Sequence, residues 1–377
     1  MITQTQINAV ANLLKGKKKI AILTHLSPDG DAMGSSLGLK NWLQDCPALG
    51  GPDVRVIVPN CYPDFLAWLP AAQESIVYAL DKEAAEQVAR EADLLFCLDF
   101  NEPKRIGDAE ALFPLFTCPK VLIDHHLNPD HAMVDVIISY PEAPAASYLV
   151  LELINALNTL STFQAQQSSE PARKELSTFQ AQRSSEPARK ELSTFNFQLS
   201  TNTATCLYCG LMTDTGNFAF NSNNPVLYEM IAELLRAGIN KDRIFDAVFN
   251  QYSANRMELM GYCLFRKMKI YKNYHTALIT LSASELRRFN YQKGDSEGFV
   301  NLPLQISDVY YSVFMREDAD RIKISFRSQG ERPVNIFAHE FFNGGGHMNA
   351  AGGESFNTLD TAVKTFEAHF RDFFKKE

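Results

Sequence analysis

The fold is decided by the stretch Val121-Leu122-Ile123-Asp124-His125-His126, in which three apolar residues run directly into one carboxylate and two imidazoles. The Asn128-Pro129-Asp130 that follows is typical of a turn, so the stretch predicts a buried strand with titratable groups at its carboxyl end. Such groups cost free energy at the end of a buried strand unless they are paired or bind a metal. Open parallel sheets collect their functional groups at the carboxyl ends of strands. We therefore interpret Asp124-His125-His126 as a candidate metal site.

Further apolar runs lie upstream of this stretch and alternate with helical segments. Strands are predicted at Lys19–Thr24, Val54–Val58 and Leu94–Leu98, and helices at about residues 32–43 and 84–90. Strands that alternate with helices indicate an α/β domain with a parallel, doubly wound sheet. Three of the four strands end in an acidic or histidine-rich cluster. That pattern indicates one shared site rather than scattered charges.

The second half of the chain has a different organisation. Helices dominate residues 225–271, and a mixed region follows with strands at Thr276–Leu281, Val309–Met315 and Ile322–Arg327, a glycine-rich loop and a helix at Thr361–Phe374. A chain of 377 residues is long enough for two domains. We expect a doubly wound N-terminal domain over 1–240, a helical linker over 241–262 and a smaller mixed α/β C-terminal domain over 263–377, with the active site in a cleft between the domains.

A near-perfect duplication occupies residues 161–195. Ser161–Leu176 reads STFQAQQSSEPARKEL, Ser177–Leu192 reads STFQAQRSSEPARKEL, and a third copy begins at Ser193. Two copies are too few for a stacked repeat fold, which needs about three units or more. We interpret the segment as a polar surface insertion between two helices of the first domain.

Charge and composition narrow the class of protein. The net charge of −8 argues against a surface that grips long duplex nucleic acid, because such surfaces neutralise phosphates with Lys and Arg. It leaves a small phosphorylated substrate open, since bound divalent metals can reverse the local charge. The seven cysteines are irregularly spaced and do not form the pattern of a disulfide framework. No apolar run is long enough to span a bilayer, so we expect a cytoplasmic protein without a membrane partner.

A second cluster of potential ligands follows the first predicted strand. His25 ends that strand, and Asp29 and Asp31 lie on the loop that opens the next helix. Pro28 and Gly30 predict a tight turn, which lets the three side chains point into one cavity. Helix N-capping would explain one aspartate at this place. It does not explain two aspartates together with a histidine at the strand end.

Two more carboxylates complete the set of potential ligands. Asp99 follows the third strand and alone would be explained as a turn residue, whereas Asp214 ends an apolar helix, where a carboxylate opposes the helix dipole and a compensating cation is expected. The combined set suits two divalent ions that share a bridging carboxylate. Mixed imidazole and carboxylate ligands favour manganese, iron or cobalt over magnesium. The full set is too large for one four-coordinate zinc: His25, Asp29, Asp31, Asp99, Asp124, His125, His126 and Asp214.

Five sequence motifs resemble, in order, those of a known family. HLSPDGDAMGS (25–35), LDFNEP (98–103), IDHH (123–126) and MTDTGNF (212–218) resemble the four motifs of the DHH phosphoesterase superfamily. The segment FNGGGH (342–347), with AAGG (350–353), resembles the glycine-rich motif of the DHH-associated C-terminal domain. The resemblance spans nearly the whole chain apart from the duplicated insert. Length and domain content are most similar to the branch of nanoRNases that are also pAp phosphatases, the bifunctional oligoribonucleases.

The resemblance implies a role for each of these positions. Asp124 would orient His125 through its second ring nitrogen, as bound imidazoles require. His126 would face the scissile phosphate and stabilise charge or assist proton transfer. The implied cofactor is a pair of divalent ions, best matched by Mn²⁺. The metal ligands would be His25 and Asp29 for the first ion, Asp31, His125 and Asp214 for the second, and Asp99 as the bridge.

The second domain offers candidate substrate contacts. The backbone N–H groups of Gly344, Gly345 and Gly346 can form a concave nest for an anion, and His347 can add a charge-assisted hydrogen bond to phosphate. Four further candidates in this half of the chain are Arg327 and Ser328 at the end of a predicted strand, Asn343 and Arg256.

Together these features predict a two-metal hydrolase. It would degrade short oligoribonucleotides to mononucleotides and remove the 3′-phosphate of pAp. Pyrophosphate or short polyphosphate, pApA and cyclic dinucleotides stay open as alternative substrates. A non-catalytic nucleotide-binding regulator stays open as an alternative function. For the oligomeric state, a homodimer stays open as one alternative.

Overall fold

A computed structural model describes residues 1–168 and 199–374 of the chain. Backbone contacts separate two compact units, Met1–Val248 and Phe249–Glu377. Residues 161–168 of the duplicated segment continue a helix, and the rest of the expected surface insertion lies outside the described residues. No helix in the described parts is both long and apolar enough to cross a membrane.

The first unit is built on a sheet of six parallel strands. The strands are β1 (Lys19–Thr24), β2 (Asp53–Val58), β3 (Ile76–Val77), β4 (Leu94–Leu98), β5 (Lys120–Asp124) and β6 (Val136–Ser139). The helices are α1 (Gln4–Leu14), α2 (Gly30–Asp45), α3 (Lys82–Glu91), α4 (Ala146–Ser168), α5 (Thr201–Asp214), α6 (Pro225–Arg236) and α7 (Lys241–Phe249), which ends where the two units divide. A 3₁₀ segment, Pro103–Leu115, connects β4 to β5.

The strand order places the carboxyl ends of β1 and β4 side by side. The order is β3-β2-β1-β4-β5-β6 with all neighbours parallel, so the chain reverses its direction of winding between β1 and β4. In such sheets ligands bind at this switch point. Thr24 pairs with Leu98, and Leu98 pairs with Ile123, so the residues that follow all three meet at one edge. The predicted doubly wound sheet is confirmed.

Helices cover both faces of this sheet and bury its strands. Every residue of β4 is buried, and β1 is exposed only at its first residue, as expected for a parallel sheet between two layers. One face packs on α3 and the 3₁₀ segment. Helices α2 and α4 pack on the other face. Both layers hold the strand ends in fixed positions at the edge where the polar residues emerge.

The second unit has a mixed sheet of its own, as predicted. The strands are β7 (Lys269–Tyr271), β8 (Thr276–Leu281), β9 (Tyr311–Glu317), β10 (Ile322–Ser328), β11 (Gly345–His347) and β12 (Ala350–Ser355). The helices are α8 (Ala254–Tyr262), α9 (Ala283–Arg288), α10 (Val334–Phe342) and α11 (Leu359–Phe373). The order is β11-β12-β10-β9-β8-β7, in which β8 and β9 are parallel and the other pairs antiparallel.

The glycine-rich stretch is an edge strand, so the prediction of a loop is wrong here. Residues 345–347 pair antiparallel with residues 350–352. A Cβ at Gly344 would lie 2.0 Å from the carbonyl oxygen of Gly352, and a Cβ at Gly346 would lie 2.5 Å from that of Ala350. Glycine is required because the two backbones approach this closely. The glycines serve strand pairing, a role that a single sequence does not distinguish from a loop.

Candidate metal centre

Six carboxylate and imidazole side chains of the first unit converge at the carboxyl edge of its sheet. All six were assigned to metal binding by the sequence. Three follow strands, two open a helix and one ends a helix, and their positions are His25 after β1, Asp99 after β4, His125 after β5, Asp29 and Asp31 at the start of α2, and Asp214 at the end of α5.

The first group of ligand atoms comes from His25, Asp29 and Asp99, which lie within 4.8 Å of one another. His25 Nε2 is 3.4 Å from Asp99 Oδ2 and 3.7 Å from Asp29 Oδ1. His25 Nδ1 donates to the carbonyl oxygen of Leu26 at 2.9 Å, so the lone pair of the neutral ring is on Nε2. Asp29 also caps α2, accepting from the N–H groups of Asp31 and Ala32 at 3.0 Å.

The second group comes from Asp31, Asp99 and His125, again within 4.8 Å of one another. His125 Nε2 is 3.4 Å from Asp99 Oδ1, 3.6 Å from Asp214 Oδ2 and 3.9 Å from Asp31 Oδ2. Both oxygens of Asp31 accept backbone hydrogen bonds at the start of α4, from residue 146 at 2.6 Å and residue 147 at 2.9 Å. The positive end of α4 therefore holds this carboxylate in place.

Asp99 belongs to both groups and lies between them. It is 2% exposed, and its φ of 62° lies in the left-handed region. Its N–H donates to the carbonyl oxygen of Ile123 at 3.0 Å, which fixes the backbone to β5. Asp99 Oδ1 is buried without a hydrogen-bond partner among the described residues. A buried carboxylate oxygen without a hydrogen bond is costly, so its surroundings fit a bridging ligand to two cations.

Burial and crowding shift the pKa values of the cluster in both directions. Burial opposes the charged form of both histidines, yet the adjoining carboxylates outweigh burial and raise the pKa of His25 and of His125 well above the ordinary value. Burial, with Asp99 and Asp214 nearby, raises the pKa of Asp31 well above its ordinary value. Burial likewise raises the pKa of Asp214 to about 6, against the opposing effect of His125. Crowded carboxylates with raised pKa values fit a site for divalent metal ions.

Asp124 pairs with His126, which corrects one expectation. Asp124 is fully buried and accepts from His126 Nδ1 at 2.8 Å and from the backbone N–H of His126 at 3.1 Å. The second ring nitrogen of His125 instead lies 3.2 Å from the carbonyl oxygen of Ala143. The expectation that Asp124 orients His125 is therefore wrong. The physical reason is that an aspartate readily bonds the backbone two residues ahead, which brings the His126 ring with it.

Arg105 lies at this site and was not identified from the sequence. Its Nη2 is 3.1 Å from His126 Nε2, and its carbonyl oxygen accepts from the N–H of Leu26 at 2.8 Å. The residue lies in the 3₁₀ segment two positions after the LDFNEP block. Its closeness in sequence to the predicted ligand Asp99 could have pointed to it. However, the segment has no helical or strand periodicity from which the direction of the Arg105 side chain could be predicted.

Small residues allow the helices that carry the aspartates to lie close together. A Cβ at Gly34 in α2 would lie 2.6 Å from the carbonyl oxygen of Cys206 and 2.7 Å from the backbone nitrogen of Gly210 in α5. Only glycine permits this approach. The contact sets the separation of Asp31, at the start of α2, from Asp214, at the end of α5.

In the second unit, two of the candidate substrate residues share one face of the sheet. Arg327 in β10 pairs with Ala350 in β12, which in turn pairs with His347 in β11. Directly paired residues of an antiparallel sheet point to the same side. Arg327 and His347 therefore flank the small side chain of Ala350 on one face.

The other candidates of this unit have structural contacts. The Ser328 hydroxyl donates to the carbonyl oxygen of Arg332 and accepts from Asn349 Nδ2 at 2.9 Å. Asn343 ends α10 in the left-handed region, with a φ of 47°. Arg256 is buried and donates to the carbonyl oxygens of Gly294, Asp295 and Glu297, so its side chain holds this loop together.

Both compact units match known protein families. Residues 19–181 match the DHH family, N-terminal domain, and residues 274–376 match the DHHA1 domain. A Thermus thermophilus protein named bifunctional oligoribonuclease and PAP phosphatase NrnA is 29% identical over 350 residues, which are 92% of this chain and 87% of the relative.

Solved structures agree with these matches. An exopolyphosphatase-related protein from Bacteroides fragilis is 42% identical, with a TM-score of 0.84 over 99% of this chain and 98% of that protein. The exonuclease RecJ, in a structure bound to manganese, shares the fold with a TM-score of 0.52 at 13% identity, over 99% of this chain and 95% of that one. With both matched domains and a 42% identical relative of nearly equal length, the chain belongs to the DHH family of phosphoesterases and carries a DHHA1 domain as its second unit.

Proposed function

We propose that this chain hydrolyses short oligoribonucleotides to mononucleotides and removes the 3′-phosphate of pAp, with two divalent metal ions as cofactors. The observation that carries the proposal is that the group of His25 and Asp29 and the group of Asp31 and His125 share the buried carboxylate of Asp99. A pair of ions that share one carboxylate is the arrangement used for in-line displacement at phosphorus. Two ions bound here would supply Lewis acidity and an activated water.

The residues of the chain would prepare this site in three ways. His25 and His125 each have one ring nitrogen facing a backbone carbonyl oxygen, which orients Nε2 toward the carboxylates. Asp29 and Asp31 are fixed by helix N-termini, so little side-chain entropy remains to be lost on binding. Asp99 stands between the two groups without a proton, because the adjoining histidines outweigh burial and hold the pKa of Asp99 well below its ordinary value.

We propose manganese as the preferred metal. Two imidazoles among six ligands favour a borderline ion over magnesium, which prefers oxygen ligands and retains its water. The RecJ structure of the same fold is bound to manganese. Calorimetric titration of the chelated protein with Mn²⁺ and Mg²⁺ tests the preference, and a higher affinity for Mg²⁺ would contradict it.

The choice of nucleotides as substrates rests on the relatives and on the second unit. The Thermus thermophilus relative that matches 92% of this chain is named for both activities. Arg327 and His347 offer a guanidinium and an imidazole on one sheet face, which suits the anionic groups of a nucleotide. We propose these two residues, with the glycines of β11, as substrate contacts.

A phosphoanhydride substrate is the second candidate. The Bacteroides fragilis structure, 42% identical over nearly the whole chain, is of a protein described as exopolyphosphatase-related. Pyrophosphate and short polyphosphate present phosphoryl groups to the same two-metal chemistry. A substrate panel in Mn²⁺ separates the candidates: RNAs of two to five residues, pAp, pApA, pyrophosphate and short polyphosphate. Faster turnover of pyrophosphate or polyphosphate than of RNA and pAp would favour the second candidate.

The bridging position gives the sharpest test of the metal site. We expect Asp99→Asn to lower kcat by at least about 10³-fold, because an amide cannot bridge two cations as a carboxylate does. Asparagine tolerates a positive φ at this position, so the backbone should keep its conformation. Steady-state hydrolysis of pAp in Mn²⁺ is the measurement, with the exposed Asp108→Asn as the matched control. Near wild-type turnover by Asp99→Asn would show that the assigned site is wrong.

A further inference from the structure

The side-chain contacts of His126 determine where its proton lies. His126 Nδ1 is 2.8 Å from Asp124 Oδ1, and an ionised carboxylate only accepts, so Nδ1 carries the proton. His126 Nε2 is 3.1 Å from Arg105 Nη2, and a guanidinium only donates, so Nε2 presents its lone pair to the arginine. Arg105 therefore donates to His126, and His126 donates in turn to Asp124.

These hydrogen bonds determine which side chain can donate to a phosphate. The Nε2 of His126 has no proton to give while the arginine occupies its lone pair. A guanidinium has five N–H donors in a planar fork, and the His126 contact uses one of them. In the described parts of the chain no ion pair joins the Arg105 guanidinium to a carboxylate. Arg105 is thus a cation with unused donors beside the candidate metal groups.

The backbone of Arg105 is also fixed, through a contact with the residue that follows His25. Its carbonyl oxygen accepts from the N–H of Leu26 at 2.8 Å, and the carbonyl oxygen of Leu26 accepts from His25 Nδ1. Gly107 has a φ of 56°, and a Cβ there would lie 3.1 Å from the Leu26 side chain. The residue is therefore held between His25 and His126, and the His126 Nδ1 is 3.6 Å from Asp99 Oδ1.

We propose that Arg105 binds a non-bridging oxygen of the phosphoryl group under attack, and that Asp124 and His126 position its guanidinium. The proposal rests on the proposed phosphoesterase function and assigns the phosphate contact to Arg105 in place of His126. Paired N–H groups of an arginine match two phosphoryl oxygens, and a fixed cation there stabilises the charge that develops as the phosphorus is attacked. Asp124 and His126 act through Arg105 and are positioning residues.

The test uses Arg105→Gln in the full chain. We expect kcat/KM for pAp or a short RNA in Mn²⁺ to fall by roughly 10²-fold, and the inhibition constant of inorganic phosphate to rise at least about tenfold. Mn²⁺ affinity, measured by calorimetry without substrate, should stay within about twofold. Lys104→Gln removes the neighbouring exposed positive charge and should leave all three quantities unchanged. A wild-type phosphate inhibition constant in Arg105→Gln would overturn the proposal.

Two further measurements keep the outcome decisive. If Arg105→Gln loses Mn²⁺ binding, the variant Arg105→Lys is tested in its place. Arg105→Lys should raise the inhibition constant of phosphate and leave the Mn²⁺ affinity unchanged. An unchanged inhibition constant in Arg105→Lys overturns the proposal.

If the wild type cleaves pyrophosphate but no nucleotide, the proposed function fails while phosphate inhibition of that reaction still tests Arg105. If nothing is cleaved, calorimetric binding of phosphate to the Mn²⁺-loaded protein takes the place of inhibition, with the same expected difference between variants.

Discussion

Two aspartates of the candidate site each have two roles, as a helix cap and as a potential metal ligand. Asp29 caps α2 and Asp31 caps α4, and both also belong to groups that could hold a metal. A cap oriented by backbone N–H groups cannot rotate freely, so the side chain that stabilises the helix start is also a preorganised ligand. This is why capping and metal binding, which look like competing explanations of the sequence around residue 29, are compatible in the structure.

The raised pKa values of this cluster predict a pH dependence of metal binding. The adjoining carboxylates raise the pKa of His25 and that of His125 well above the ordinary value, which favours the protonated rings in the metal-free protein. A metal needs the neutral imidazole, so binding must release protons, and affinity should rise with pH by about tenfold per unit for each proton released. The raised pKa values of Asp31 and Asp214 act in the same direction at lower pH.

Calorimetry of Mn²⁺ binding at pH 6, 7 and 8, in buffers of different ionisation enthalpy, counts these protons. The exposed His131 offers a control, since His131→Gln should leave the count unchanged. An affinity that does not change between pH 6 and 8 would contradict the assignment of the two histidines as ligands.

At the scale of elements, the separation of three helices sets the geometry of the site. A Cβ at Gly210 in α5 would lie 2.0 Å from Ser147 Oγ in α4 and 2.8 Å from Asp31 Oδ1 in α2. One position without a side chain therefore allows α2, α4 and α5 to meet. The carboxylate of Asp31 depends on this contact, because its partner N–H groups belong to α4.

We expect Gly210→Ala to push these helices apart. The added methyl should lower the free energy of unfolding by about 1–3 kcal/mol, the usual cost of overpacking. Displacement of Asp31 should weaken Mn²⁺ binding by roughly 10–100-fold, as for other disturbed supporting contacts. Chemical denaturation and calorimetry measure the two effects. Gly261→Ala is the matched control, because this helical glycine in α8 has nothing within 4 Å of the added Cβ. Wild-type Mn²⁺ affinity in Gly210→Ala would contradict the argument.

The long apolar strands could be predicted from sequence, whereas the short strands could not. The predicted bounds of β1, β4 and β8 agree with the structure, because a short and mainly apolar run between turn residues has few other interpretations. The two-residue β3 and the glycine-containing β11 and β12 depend on pairing with distant residues, and their own composition is typical of loops. Periodicity contains no information about such pairing.

The candidate site, too, could be predicted from the sequence only in part. Strand ends define an edge, so the convergence of His25, Asp99 and His125 could be predicted from strand order alone. The partner of Asp124 could not, because it depends on how the backbone turns after β5. Arg105 could not either, since its contact with His126 spans 21 residues through a 3₁₀ segment with no repeating pattern.

On the scale of the whole molecule, each unit has its own means of stabilisation. The second unit buries an aromatic core that includes Phe326, Phe337 and Phe366, and Arg256 satisfies three backbone carbonyl groups of one loop. In the first unit, the edge of the sheet carries the cluster of carboxylates whose mutual repulsion is unfavourable without a cation. The metal-free state should therefore be weakened mainly at that edge.

Removal of the metal should loosen particular amides of the first unit. A ligand at a hundred times its Kd stabilises the folded state by about 2.7 kcal/mol. The amides most affected should be those bonded to candidate ligands or to Asp124: the N–H groups of Asp31, Ala32, His126, Ala146 and Ser147.

Hydrogen exchange with Mn²⁺ or with a chelator measures this effect, and amides of β9 and β10 in the second unit serve as the internal reference. The difference at the edge of the first sheet should vanish in Asp99→Asn, because that variant lacks the bridging carboxylate. A metal-dependent difference confined to β9 and β10 would place the metal elsewhere and overturn the assignment. Protection at the sheet edge that persists in Asp99→Asn would show that the metal binds there without the bridge, and a single-ion site would then replace the paired one.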